Sequence, residues 1–367
     1  MIISIIKIFI SIYLMWKVSS SFDLAANYLT RNLGEGIKGP TVNAIASSLP
    51  ELMISSLFLF FFKDIEGFSA GFATIIGSSA FNIAVIPVIA FFFAYKKYKN
   101  NFFSIDKKIV KQDGFFLIVS IILLGLGFYI GLTIYYALLL IAIYFIYIAL
   151  VYYKRNKNNT ENVHEEVYIK KFKNGRNYSY LKSLINLRIY NIINSKSINT
   201  VNSIYVIIIS VLIISIACYN LVYVVEEISN DLEINLFISA FFIAAISSSI
   251  PDTILSIKDA EHGKFNDSFS NTYGSNIFDI CIGIGLPIFI YTIFYPPISL
   301  DVKIERLGVF NLGDFIMNGN LMLWSLLILL IFTILISILY SFGKITVKKI
   351  PLIILTYFLY ILALLIY

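Results

Sequence analysis

Long apolar runs recur along the whole chain, separated by short polar or charged breaks. A stretch that is apolar on every side reads as a helix buried in hydrocarbon, and about 20 such residues cross a bilayer. Transmembrane strands would instead alternate over segments of about 10 residues, whereas these runs are continuous. The pattern predicts an all-α polytopic membrane protein with about ten spans. The first five lie near 2–28, 38–62, 67–95, 113–131 and 133–153. The other five lie near 201–224, 234–258, 265–295, 317–341 and 347–367. The first run, MIISIIKIFISIYLMWKVSS, has no basic segment before it and no A-x-A-like site after it. It reads as the first span rather than as a removable signal.

Two oily stretches carry acids that are expensive to keep there. AIASSLPELMIS (44–55) sets Glu51 behind a proline and two serines, and AAISSSIPDTILS (244–256) repeats the arrangement around Asp252. Further on, GSSAFNI (77–83) matches GSNIFDI (274–280). The matched motifs divide the chain into a first five-span repeat (1–153, motif region 38–95), a linker (154–200) and a second five-span repeat (201–367, motif region 234–295). Each half has an odd number of spans, so the second enters the membrane with opposite orientation. An inverted repeat with matched polar interruptions is a mark of secondary transporters, whose sites form near the midplane where the repeats meet.

Composition agrees with the span reading. The chain is 59% hydrophobic and 14% charged, with a mean hydropathy of +0.84, against about 25% charged residues in soluble domains. The net charge of +6 does not call for a nucleic-acid partner; the placement of the charges says more. The 96–113 loop carries six lysines against Asp106 and Asp113, and Lys344, Lys348 and Lys349 mark the last loop. The 154–200 linker is basic and reads as partly disordered, whereas EEISNDLE (226–233) is acidic. The positive-inside rule then places the linker in the cytoplasm and both chain ends outside, in a cell (inner) membrane. Cys218 and Cys281 read as small buried hydrophobes. His164 and His262 have no ligand-like spacing. Lys258, Asp259, Glu261, Lys264 and Asp267 are expected to solvate a cytoplasmic helix end, and Asp301, Lys303, Glu305, Arg306 and Asp314 to belong to an external loop.

The motifs suggest their own chemistry. Pro50 and Pro251 have no N–H and disfavour helix at the preceding residue, so each helix should break just before its acid. A break frees carbonyls that cannot face lipid unsatisfied. Ser47, Ser48 and Glu51 gather at one break; Ser248, Ser249 and Asp252 gather at the other. On the opposing helices Thr74, Ser78 and Asn82 share one face, as do Asn271, Ser275 and Asp279. An Asp at the centre of a membrane helix costs roughly 2.5–3.5 kcal/mol, so Glu51, Asp252 and Asp279 need protons or a bound cation to offset them. Oxygen ligands without clustered His or Cys favour Na⁺ or Ca²⁺ over Zn²⁺ or Cu⁺. SSLPE alone is equally a kinked helix with a snorkelling glutamate, and GSSAFN alone a small-residue packing face. Their recurrence in order in both halves favours a cation site.

At these residues the chain resembles the Ca²⁺/cation antiporter superfamily, and in particular its sodium/calcium exchangers. ASSLPELMISS with GSSAFNI resembles the first family repeat. SSSIPDTILSIKDAEHGKFNDSFSNTYGSNIFDICIGIGLP resembles the second over some forty residues. The resemblance implies alternating access, with Na⁺ entering as Ca²⁺ leaves. It makes Glu51 and Asp252 the central carboxylates, with oxygens from Ser47, Ser48, Ser248, Ser249, Ser78 and Ser275, and Asn82 and Asp279 on the opposing helices. It implies Na⁺ and Ca²⁺ as transported ions, no cofactor, a monomeric transport unit and no enzyme activity. Asp at both 252 and 279 is similar to the potassium-dependent branch, so K⁺ coupling stays open, as does an H⁺/Ca²⁺ antiporter. A reading from a different class, an intramembrane aspartyl protease, lacks a G-x-G-D stretch and leaves Glu51 and the duplicated serines unexplained.

Overall fold

The computed structural model describes every residue except 32, 34–36, 100–101, 156–179, 194–197, 298–320 and 367. Most of the basic linker, with His164, therefore lies outside the described residues. So does the predicted external loop with Asp301, Lys303, Glu305, Arg306 and Asp314. The described chain is nearly all helix. The first half holds α1 (Ile2–Leu29), a π-helical turn (Gly39–Asn43) running into α2 (Ala44–Ser47), then α3 (Leu49–Phe62), α4 (Ile65–Tyr98), α5 (Lys107–Ile130) and α6 (Ile134–Arg155). Two short helices, α7 (Tyr180–Ile185) and α8 (Ile189–Ile192), lie within the linker. The second half holds α9 (Thr200–Asp231), α10 (Leu236–Ser239), a π turn (Ala240–Ala244), α11 (Ala245–Ser248) and α12 (Ile250–Glu261). It continues with α13 (Phe265–Phe278), a third π turn (Asp279–Ile284), α14 (Gly285–Phe294), α15 (Leu321–Tyr340) and α16 (Ile350–Leu365).

Among the described residues, 8 helices are long and apolar enough to cross a membrane, or 9 if the bent pair Gly39–Ser47 and Leu49–Phe62 is one span. The shorter α16 is a further apolar helix. The breaks fall where the prolines predict. Ser48 interrupts the second span, and the segments on either side diverge by 47°. Pro50 and Pro251 each sit in the first turn of the helix that follows, where a missing N–H does no harm. The π turns are not legible in the apolar pattern; such turns frequently mark functional sites.

Helices α1 and α9, the first of each half, pack against each other in opposite directions. The Met1 amine lies 3.5 Å from Asp231, Lys7 lies 3.2 Å from Glu227, and Asn220 donates to Ser11 over 2.7 Å. A small antiparallel ladder, β1 (Phe102–Ser104) with β2 (Lys344–Thr346), departs from the all-helical expectation. It joins the two lysine-rich loops, so both lie on one face of the molecule.

Three expectations about charged residues change. Asp113, read as a loop charge, is fully buried, because α5 begins at Lys107 and carries it into the bundle. Its carboxylate accepts from Arg155 Nη2 at 2.5 Å, Ser270 Oγ at 2.8 Å and Tyr147 Oη at 3.1 Å. Arg155, read as a linker cation, is buried with it. Asp267, expected in solvent, is 1% exposed and accepts from the Gly39 N–H. Asp259 accepts from Asn43 over 2.9 Å. The described part of the linker is also not free chain. Ser21 of α1 donates to the Leu187 carbonyl over 2.8 Å and accepts from the Ile189 N–H over 3.2 Å. Cys218 and Cys281 are free and buried, as expected.

Candidate cation site between the two halves

Each broken helix delivers its acid in the same way. Glu51 and Asp252 directly follow their prolines in the first turns of α3 and α12. There the exposed N–H ends of the half-helix favour negative charge. Both side chains are completely buried.

The opposing walls come from α4 and α13, and close approach needs their glycines. A Cβ on Gly77 would lie 2.5 Å from the Phe241 carbonyl oxygen. A Cβ on Gly274 would lie 2.6 Å from Pro40 Cα. Pro40 and Phe241 hold equivalent places, each eleven residues before its acid and inside a π turn. The long helix of each half thus leans on the π turn of the other.

That exchange brings both halves' polar groups together. Within a half, Ser78 donates to Glu51 Oε1 over 3.3 Å and Ser275 donates to Asp252 Oδ1 over 2.6 Å. Between halves, Asn82 donates to Asp252 Oδ2 over 3.0 Å, and Ser249 donates to Ser78 over 3.0 Å. The Ser47 and Ser275 hydroxyls lie 3.5 Å apart. Asp279, the counterpart of Asn82, has Glu51 and Asp252 as electrostatic neighbours, with Ser48 beside it. Ser248 donates to the Ala245 carbonyl over 3.1 Å and also lies against Glu51. All ten sequence-nominated residues therefore sit in one buried cluster. Thr74 differs: its hydroxyl turns back to the Ala70 carbonyl of its own helix over 3.0 Å.

Two asparagines outside the ten join the cluster: Asn271, placed on the polar face of its helix but not among the ligands, and Asn276, which was not singled out. Asn276 accepts from Asn82 over 3.1 Å and donates to the Ser79 carbonyl over 2.8 Å. Asn271 reaches Asp252 over 3.4 Å and Ser256 over 3.1 Å. Asn271 stands one turn before Ser275 on the expected face, so its spacing was the available signal. Asn276 is offset from that face and aligns with Ser79, which hides it.

The hydrogen-bond census of the cluster is short of donors. Glu51 Oε2, Asn82 Oδ1, Asn271 Oδ1, Ser48 Oγ and both oxygens of Asp279 are buried without a hydrogen-bond partner. An unsatisfied buried polar atom costs about 1–3 kcal/mol; the Ser48 hydroxyl can serve only one of these acceptors, and the others call for water or a bound cation. No ion pair among the described residues involves Glu51, Asp252 or Asp279. No three described His, Cys, Asp or Glu side chains converge closely enough to form a metal site by themselves. An ion held here would draw on amide and hydroxyl oxygens as well as carboxylates, the donor set of hard cations.

The family model described as "Sodium/calcium exchanger protein" matches residues 3–153 and 202–366. The chain belongs to the sodium/calcium exchanger family. Curated relatives share shorter segments. Human sodium/potassium/calcium exchanger 5 is 43% identical over 82 residues, covering 22% of this chain and 16% of that protein. Chicken sodium/potassium/calcium exchanger 1 is 32% identical over 94 residues, covering 25% and 14%. The matched segments thus span under a fifth of these relatives' own length. Similarity to solved structures extends over nearly the whole chain. The H⁺/Ca²⁺ exchanger CAX superposes with a TM-score of 0.70 at 16% identity, covering 99% of this chain and 82% of that one. The sodium-calcium exchanger NCX_Mj superposes with a TM-score of 0.57 at 20% identity, covering 98% of both. This family member therefore shares the helical fold of both.

Proposed function

We propose that this family member exchanges Na⁺ for Ca²⁺ at the Glu51–Asp252 cluster by alternating access. The observation that carries the reading is the buried set of acceptor oxygens without donors, assembled from both halves. Glu51 and Asp252 are the central ligands. Asp279, Asn82 and the serines at 47, 48, 78, 248, 249 and 275 complete the shell with side-chain or freed backbone oxygens. Ca²⁺ takes about 6–8 oxygens, a number within reach of this set. Na⁺ and Ca²⁺ would compete for the same carboxylates, so the protein need only alternate the face to which the site opens. Three Na⁺ entering per Ca²⁺ leaving would carry net charge inward and make exchange voltage-sensitive. The halves then act as inverted repeats in a cell membrane. The lysine-rich face is cytoplasmic, the chain ends are external, and one chain is the transport unit.

Protons are the second reading, favoured by Asp279: both of its carboxyl oxygens lack donors, and protonation would serve them as a cation does. Ca²⁺ flux in proteoliposomes under imposed Na⁺, H⁺ or K⁺ gradients separates the coupling ions. Flux driven by Na⁺ alone is the expected result. Glu51→Gln and Asp252→Asn should abolish flux in folded protein, and wild-type flux from either would sink the site assignment.

A further inference from the structure

The central cluster continues through carboxylates toward one face of the molecule and not toward the other. On α13, Asp267, Asn271 and Ser275 recur every fourth residue, and Asp279 at the start of the π turn continues the stripe. Facing them on α12 are Asp252, Ser256 and Asp259. Asn271 bridges Asp252 and Ser256, while Ser268 donates to the Ser256 carbonyl over 2.7 Å. Asn43 then reaches Asp259 over 2.9 Å, and the Gly39 N–H reaches Asp267 over 3.1 Å.

The stripe ends at Lys38, which is 3% exposed and has Asp267, Asp259, Asp23 and Lys264 as electrostatic neighbours. Residue 39 presses so closely on α13 that a Cβ there would lie 2.4 Å from the Asp267 carbonyl oxygen. Lys38 is thereby set at the head of the stripe. Lys258 pairs instead with Asp23 of α1, at 3.6 Å.

In the first half the inner equivalents of Ser256 and Asn271 are also polar, Ser55 and Thr74, but the two outer positions are apolar. Phe58 stands seven residues after Glu51, as Asp259 does after Asp252. Ala70 stands seven before Gly77, as Asp267 does before Gly274. Both are fully buried, and Phe58 packs against Phe62 with ring centroids 6.3 Å apart. A cavity of about 600 Å³ on that face, lined by residues including Glu66, Asn230, Glu233 and Asn235, has no residue of the central site in its lining.

We propose that this one-sided stripe is the route by which the transported cation meets the Lys38 face. Lys38 is its gatekeeping residue, a tethered ammonium that screens Asp259 and Asp267. The inference rests on the exchanger reading above. Without Lys38 the two carboxylates would concentrate divalent cations at the mouth and slow their release. Clefts of one charge sign raise local ion concentration by a factor of about 10 or more.

The test measures Ca²⁺ KM and kcat separately at each face, in right-side-out and inside-out membrane vesicles. Lys38→Met should lower KM at the Lys38 face by roughly tenfold, with a lower kcat and an unchanged KM at the other face. Lys38→Arg should restore both parameters. Lys38→Met with Asp267→Asn, which removes the ammonium together with one of the two carboxylates it faces and guards against misfolding of the single variant, should return KM toward the wild-type value. Equal changes at both faces, or no change in folded Lys38→Met, would overturn the gatekeeping role while leaving the exchanger reading intact. Absence of Ca²⁺ flux in the wild-type chain would overturn the exchanger reading, and this inference with it.

Discussion

Asn82 Nδ2 lies 3.0 Å from Asp252 Oδ2, so the amide of one half holds the carboxylate of the other. The bond ties two helices separated by 170 residues of sequence. The Asn82 carbonyl oxygen has no donor, as the proposed ligand role requires. Replacing Asn82 by Asp puts like charges about 3 Å apart, which cannot both stay ionised without a bridging cation. Asn82→Asp should therefore gain more thermal stability from added Ca²⁺ than the wild type does. Equal gains in a melting assay would argue against a shared ion at this pair.

Cation binding should stabilise the folded exchanger directly. A ligand at a hundred times its dissociation constant adds about 2.7 kcal/mol. The wild-type melting temperature should rise with Ca²⁺ and fall back when a chelator is added. Glu51→Gln should lose this response while its ion-free melting temperature stays the same or rises, since a buried charge has been removed. A variant that still responds to Ca²⁺ would place the ion elsewhere.

Gly77 and Gly274 are expected to tolerate nothing larger than hydrogen. Their would-be Cβ atoms meet backbone, the Phe241 carbonyl and Pro40 Cα, which cannot swing aside as a flexible side chain would. Gly77→Ala or Gly274→Ala should cost about 1–3 kcal/mol from overpacking and reduce flux by spreading the two halves. Thermal melting and flux on the same preparations would check this, and an unchanged alanine variant would refute the close approach.

The buried Arg155–Asp113 pair makes a separate prediction about stability. Removing one partner of such a pair leaves an uncompensated charge and costs about 3–5 kcal/mol. Arg155→Met should thus destabilise strongly, whereas Arg155→Met with Asp113→Asn should recover much of the loss. Because Ser270 also bonds Asp113 and adjoins Asn271, the single variant should lower Ca²⁺ flux too. Denaturation curves for the singles and the double variant give the coupling directly.

Much of the site is legible in the amino-acid sequence, for a physical reason. Pro50 and Pro251 interrupt helices by local covalent chemistry, the first with a 47° bend, and an acid beside each interruption is conspicuous in an apolar run. The i, i+4 spacing of Ser78 with Asn82 and of Ser275 with Asp279 then fixes which face each helix presents. Asn276 escapes because it lies off that spacing and enters through a bond to Asn82 of the other half.

The errors concern charges near helix ends. Asp113, Asp259 and Asp267 look like solvated loop or cap residues, because a sequence shows where a charge sits along a helix and not what lies across from it. Asp113 is neutralised by Arg155 and Asp267 is met by the Gly39 N–H, partners 42 and 228 residues away. Hydropathy and proline placement alone determined that this chain is a helical membrane protein with two acid-bearing helices interrupted just before their prolines, of which only the first bends strongly. Only the tertiary structure decided which oxygens meet in one cluster, which are left without donors, and why its outer positions are acidic on one side and filled by Phe58 and Ala70 on the other. Those outcomes depend on packing between halves, and no local pattern encodes a distance between helices so far apart in the chain.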